Sequence, residues 1–222
     1  MFVQIYGITT VEDARAVDAL GPDSIGIVLD EGFAAWDKLD VKTAQAVASA
    51  ITRSKLVVAS LTPEPDGIVA TFETLRPAIV HLARAGDMAA AALEEVRGRV
   101  TPAELMATVP VSDAQTTIAL AQRLSPYVDY LQLDTVHPDT GLVGATGAVH
   151  DWNVSAAVVG AVDIAVLLSG GLGPDNVAEA IRQVRPAGVD SETRTSREDD
   201  RLRKDLAKVE AFIAAARTTE SH

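Results

Sequence analysis

Asp134 closes the apolar run Tyr130-Leu131-Gln132-Leu133 and stands at the head of a long polar stretch, residues 135–152. A carboxylate so placed can serve as a general acid or base once partial burial raises its pKa. The same position also suits an aspartate that caps a helix or pins a loop. Farther on, Ala165-Val166-Leu167-Leu168-Ser169 runs into Gly170-Gly171, and Pro174-Asp175 looks like a helix entrance. Amides freed by a double glycine and facing a helix start make a cradle for an anion. A second strand-like run follows at 187–190 and leads into Ser191-Glu192-Thr193-Arg194, so two consecutive turns can share one phosphate.

Histidine normally leads acid–base chemistry near neutral pH. His81 ends the run at 78–82, where it either faces a site or sits satisfied in the core. His137 and His150 flank the long polar stretch without a partner in sequence, and His222 is terminal. They form no H-x-H or H-E-x-x-H arrangement, so no metal site is expected. The absence of cysteine excludes thiolate catalysis, disulfides and Cys-ligated metals. Neither G-x-G-x-x-G nor G-x-x-x-x-G-K-[ST] is present, which favours chemistry without a tightly held cofactor.

Such side chains need a scaffold. Strand-like runs recur at 2–6, 24–29, 55–60, 78–82, 105–109, 130–133, 164–168 and 187–190. Between them, apolar residues recur at three- and four-residue spacing, as at 11–20, 41–51, 114–124, 176–184 and 202–216. Thr10 and Ser112 have the look of helix N-caps. Eight strands alternating with helices, without a composition break, indicate an α/β protein built as a single (β/α)8 TIM barrel over 1–222, with a disordered tail from about 217. A doubly wound open sheet is the alternative. In a barrel the C-terminal strand ends converge on one mouth, which selects Tyr6, Asp30, Ser60, His81, Val109, Asp134, Ser169 and Asp190.

With 48% hydrophobic but only 4% aromatic residues and a mean hydropathy of +0.17, the core must be aliphatic, as buried parallel strands favour. A net charge of −12 argues against a nucleic-acid or anionic-membrane surface. It also means that an anionic ligand needs local cations or backbone donors. The opening Met1-Phe2-Val3-Gln4-Ile5-Tyr6 lacks the basic start of a signal peptide, and no apolar run approaches the roughly 20 residues of a membrane span. The expectation is a cytoplasmic protein, monomer or homodimer, acting on a small anionic molecule. The charge-dense residues 191–203 read as a solvated loop and an exposed first helical turn.

These residues resemble a known family, the phosphoribosylanthranilate isomerases of tryptophan biosynthesis, nearly end to end. Val3-Gln4-Ile5-Tyr6-Gly7-Ile8-Thr9 looks like V-K-I-C-G-I-T, and Glu12-Asp13-Ala14 matches the helix start that follows it. Leu131-Gln132-Leu133-Asp134 resembles L-L-L-D, and 144–152 resembles G-G-T-G-x-x-F-D-W. Residues 168–177 look like L-A-G-G-L-x-P-E-N-V, Gly188-Val189-Asp190 like G-V-D, and Lys204-Asp205 with Lys208 and Phe212 like K-D-x-x-K-x-x-x-F. The resemblance implies the barrel and an Amadori rearrangement of an aminoaldose phosphate to an aminoketose phosphate. It makes Asp134 the acid and keeps the Gly170-Gly171 half of the phosphate grip, with Thr193 and Arg194 in the second, altered half.

The departures lie at the mouth. Tyr6 replaces the family's cysteine base, and a phenol titrates near pH 10 against about 8.5 for a thiol. His81-Leu82-Ala83-Arg84 replaces Q-L-H-G. The substrate-gripping arginine after the second strand has no match, Lys38 being the nearest cation, and Glu192 falls where a phosphate-binding serine belongs. Arg194 could supply a new clamp. A fold kept while its site is rebuilt would show this distribution. The reading is an isomerase running the Amadori reaction or a related enolisation. Asp134 is its acid–base residue, Tyr6 or His81 its partner, and Lys38 and Glu192 contact substrate. A catalytically silent barrel with a binding or regulatory role is the alternative.

Overall fold

The computed structural model describes residues 1–29, 32, 35–135 and 149–220. Its strands are β1 Phe2–Ile5, β2 Ser24–Leu29, β3 Lys38–Leu39, β4 Lys55–Ser60, β5 Ile79–Leu82, β6 Glu104–Val111, β7 Tyr130–Thr135, β8 Ala165–Leu168 and β9 Gly188–Ser191. The helices are α1 Val11–Leu20, α2 Val41–Ala50, α3 Pro65–Leu75, α4 Ala90–Val100, α5 Ala114–Leu124, α6 Trp152–Val159, α7 Val177–Val184 and α8 Leu206–Glu220. Every strand pairing is parallel, and β1 closes the ring by pairing with β9 from Phe2↔Gly188 to Ile5↔Ser191 and with β2 at Gln4↔Ser24. The two-residue β3 only extends the sheet beside β2. Closure makes this a single (β/α)8 barrel and rules out the open sheet.

Strand periodicity sorts side chains between two cores. On β1, Val3 and Ile5 face the helix layer, whereas Gln4 and Tyr6 turn to the barrel axis. The axis holds a small cluster that includes Tyr6, Val57, Ala59, Ile79, Met106 and Leu167. Polar axis positions are paired: Ser24 Oγ donates to Gln4 Oε1 and Gln4 Nε2 to Gln132 Oε1, each at 2.9 Å. That pairing lets buried amide groups sit in the barrel floor without the cost of an unmade hydrogen bond.

The sequence reading needs five local corrections. The α5 cap is Asp113, whose Oδ1 accepts from Thr116 N at 3.0 Å; Ser112 instead donates its N–H to Thr117 Oγ1. Such a cap is worth about 1 kcal/mol. Val109 faces the helix layer, so Thr108 is the β6 residue that reaches the axis side. The last helix starts at Leu206 rather than 202. Buried Asp13 captures Arg203 Nε at 2.9 Å and Lys204 N at 3.1 Å, pinning this segment to α1 before the helix can begin. Residues 191–203 are therefore not simply a solvated loop. Helix α8 runs to Glu220, past the expected tail start, and residues 221 and 222 lie outside the described residues.

Candidate active site

Tyr6 occupies the axis just beyond β1, 5% exposed, between the ends of β9 and β2. Its ring is possible only because β2 carries Gly26: a Cβ there would lie 2.3 Å from the ring. The Tyr6 hydroxyl lies 3.1 Å from His81 Nδ1, and His81 Nε2 lies 2.7 Å from Thr108 Oγ1. Burial holds His81 down at about 4, so the imidazole is neutral at physiological pH. The neutral ring donates one of these two bonds and accepts the other; the tautomer protonated at Nε2 has Tyr6 donating to Nδ1 and Nε2–H donating to Thr108. Burial, followed by the charges of Asp190, Asp37 and Glu192, pushes the Tyr6 phenol well above its usual value. The residue in the cysteine position is thus a firmly protonated hydroxyl.

Carboxyl groups surround it. Burial pushes Asp134 up to about 7, although its Oδ1 accepts from the Thr135 amide at 2.7 Å. Burial, with the charge of Asp134 adding to it, also lifts Asp190 to about 7. Glu192 lies across β1, where a Cβ on Gly7 (φ +73°) would stand 2.8 Å from its Cγ. Burial and then the charge of Asp37 drive Glu192 well above an ordinary carboxyl, against the pull of Lys204. Asp37 is likewise raised by burial, with Lys204 and Arg201 opposing. Lys204 is 4% exposed, lowered by burial to about 8, and donates to Glu192 O at 2.9 Å and Ser196 Oγ at 3.1 Å. Glu192 Oε1, Asp190 Oδ1, Asp37 Oδ2 and Ser169 Oγ are buried without a protein partner.

The double glycine follows β8 with left-handed φ angles of +82° at Gly170 and +62° at Gly171. Asn176 pins this turn, donating to Gly171 O at 3.0 Å and accepting from Gly173 N at 2.8 Å. Thr193 opens a short 3-10 turn after β9. Arg194 is held by Asp175, with Nη2 at 2.8 and 2.6 Å from its two oxygens, so its charge is largely spent. Lys38 is exposed on β3. His150 ties the end of the long stretch to β7 and α6, lying 3.0 Å from Thr135 Oγ1 and 2.7 Å from Ser155 Oγ. Asp30 and His137 lie outside the described residues.

The fold therefore gathers Tyr6, His81, Asp134 and Glu192 at one end of the barrel. Thr108 was missed by sequence reasoning, which named its neighbour Val109. The signal was available, since alternation from Met106 turns Thr108 to the same side. The roles of Asp37 and Lys204 left no local signal. Among the described residues, no group of three or more His, Asp or Glu side chains could hold a metal ion, and no helix is long and apolar enough to cross a membrane.

Residues 7–215 match the family described as N-(5'phosphoribosyl)anthranilate (PRA) isomerase. The N-(5'-phosphoribosyl)anthranilate isomerase of Haloferax volcanii is 36% identical over 219 residues, covering 97% of this chain and 93% of the relative. Its counterpart from Methanocella arvoryzae is 33% identical, covering 98% and 99%. The solved phosphoribosyl anthranilate isomerase of Thermotoga maritima superposes with a TM-score of 0.80 at 25% identity, over 97% of this chain and 98% of that one. Another solved isomerase, in complex with reduced 1-(o-carboxyphenylamino)-1-deoxyribulose 5-phosphate, gives 0.79 at 23% identity, over 97% and 98%.

Proposed function

This chain belongs to the phosphoribosylanthranilate isomerase family and is an isomerase of that kind; we propose that it converts an N-substituted aminoaldose phosphate into the aminoketose phosphate with Asp134 as acid and Glu192 as base. The observation that carries the assignment is the pair itself. Two carboxyl groups at the ends of β7 and β9 are both raised by burial, and Glu192 also by the neighbouring charges of Asp37, Asp190 and Asp134. Such a pair can hold one proton and offer one lone pair at neutral pH. Glu192 lies beside Tyr6 across Gly7, next to the position of the missing cysteine.

In the proposed reaction, protonated Asp134 delivers its proton to the ring oxygen as the C1–O bond breaks. The amine lone pair forms C1=N, giving an iminium. Glu192, whose charged form is supported by the Lys204 ammonium, then takes the C2 proton; the C–H electrons form C1=C2, and the C=N electrons return to nitrogen. The enaminol becomes the ketose when C1 gains a proton and the C2 hydroxyl loses one. Tyr6, its own proton committed to His81, positions a substrate hydroxyl by accepting from it. Gly170, Gly171 and Thr193 offer backbone donors to the phosphate, with Arg194 and Lys38 at the rim. All these groups come from one chain, which supports a monomer or a homodimer of independent sites. A cytoplasmic location is part of the proposal, because phosphorylated sugars do not cross membranes freely.

The isomerase names of the relatives do not favour a silent barrel. Turnover of phosphoribosylanthranilate in deuterated water provides the test, since the proton gained at C1 comes from solvent or from Asp134. Wild type should incorporate deuterium at C1. Asp134→Asn and Glu192→Gln should each slow incorporation by about 10²–10⁴-fold, the usual range for removing an acid or base. Wild-type rates retained in both variants would remove these two residues from the mechanism.

A further inference from the structure

Trp36 and Asp37 follow β2 and precede β3, next to Ala35, which packs against the axis cluster that contains Tyr6. Trp36 Nε1 is buried and has no acceptor, whereas a buried indole N–H usually finds one. Arg201, in the loop before α8, holds its guanidinium carbon 4.3 Å from the centre of the Trp36 ring. Stacking on an indole braces a guanidinium and leaves the N–H groups at its rim open. The other cations of that loop are spent, Lys204 on Glu192 O and Ser196, Arg203 on Asp13 and Glu12, and Arg197 on Asp199. Arg194 is held by Asp175. Among the described residues, Arg201 makes no ion pair. The segments 30–34 and 136–148 contain no lysine or arginine, so they cannot add a cation.

The isomerase reading fixes the sugar at two points, its phosphate at Gly170 and Gly171 after β8 and its C2 at Glu192 after β9. Around the ring the strands run β8, β9, β1, β2. A substrate laid from the phosphate over Glu192 and Tyr6 therefore carries its C1 amine substituent onward to the β2 side, where Trp36 follows. In phosphoribosylanthranilate that substituent is an aryl ring bearing a carboxylate. We propose that Arg201, braced on the Trp36 ring, and the Trp36 indole N–H together bind this carboxylate and so select the substrate's aryl group. A guanidinium rim and an N–H beside it supply the directed donors that a planar carboxylate accepts. Asp37 does not bar the anion: its Oδ2 is unpaired and burial raises its pKa, so it can keep a proton and donate rather than repel. The proposal rests on the isomerase reading and deepens it. The task of the arginine missing after β2 passes to the last loop of the barrel rather than to Lys38.

The test is calorimetric titration of the full chain with two probes that differ only in the ring carboxyl, reduced 1-(o-carboxyphenylamino)-1-deoxyribulose 5-phosphate and its phenylamino analogue. Wild type should bind the carboxylated probe at least ten-fold tighter, about 1.4 kcal/mol. Arg201 is exposed, so Arg201→Gln leaves the core intact. That variant should lose at least ten-fold on the carboxylated probe and less than two-fold on the other. Trp36→Phe keeps an aromatic face for the guanidinium but removes the N–H, and should weaken the carboxylated probe alone by about three-fold. Equal losses on both probes in Arg201→Gln, or no loss on either, overturn this proposal while leaving the isomerase intact. So does a preference that survives Arg201→Gln and disappears in Lys38→Met. Binding of neither probe by wild type overturns both readings.

Discussion

Replacing Tyr6 with phenylalanine separates a hydroxyl that positions substrate from one that acts as base. The ring keeps its volume in the slot over Gly26, so no cavity opens. What disappears is the donor 3.1 Å from His81 Nδ1. His81 is 5% exposed and neutral, and neither tautomer rescues it: one leaves Nδ1 as an unpaired acceptor, the other as an unpaired donor. A buried polar group so orphaned costs about 1–3 kcal/mol. Denaturant slopes rise with chain length, and about 3 kcal/mol per molar urea suits this size. A loss of about 2 kcal/mol then lowers the urea midpoint by about 0.7 M, which fluorescence of Trp36 and Trp152 would follow. Replacing the whole network at once, as Tyr6→Phe with His81→Leu and Thr108→Val, should recover most of that loss, because apolar groups leave nothing unpaired. Turnover by Tyr6→Phe should fall by about ten-fold, far less than by Glu192→Gln. A midpoint shift below about 0.2 M would refute the assigned hydrogen-bond chain. Turnover as low as that of Glu192→Gln would instead make Tyr6 the base.

Two further outcomes follow from the same geometry. Asp134 holds its proton up to about 7 in the fold, against about 3.9 in the unfolded chain, so the folded state binds more protons between these values. Wild-type stability from this group is therefore full below about pH 4 and is lost as pH rises through 7. Asp134→Asn lacks that loss, and urea midpoints measured at pH 4, 5.5 and 7.5 should move in the variant's favour by at most about 1.4 kcal/mol per pH unit; a flat difference would show the carboxyl to be solvated. Gly26→Ala drives a methyl group to 2.3 Å from the Tyr6 ring and should cost about 1–3 kcal/mol. In a Tyr6→Ala background the same change should cost much less, and an equal cost in both backgrounds would place the strain elsewhere.

Much of the scaffold was legible from neighbouring residues alone. The eight runs read as strands became the ring, and 11–20 and 114–124 became α1 and α5 as bounded, because buried strands and amphipathic helices write their period into a few consecutive positions. Boundaries failed where a distant side chain intervened, as Asp13 does at 203–204, 190 residues away in the chain. Tyr6, His81 and Asp134 could be named because strand ends in a barrel share one face, and Glu192 because it stands where the resembled family has a serine.

Amino-acid order by itself determined the ring of strands, the glycines that admit Tyr6 and Glu192, and a lack of lysine and arginine in two segments. Folding alone decided what those residues are chemically. Burial makes Asp134 and Asp190 proton holders near neutrality, His81 a neutral acceptor and Tyr6 a spent donor. It also pairs Arg194 with Asp175 and turns Lys204 inward. The charge state of a group depends on the water it loses and the charges it meets, and both are set by packing between residues far apart in the chain.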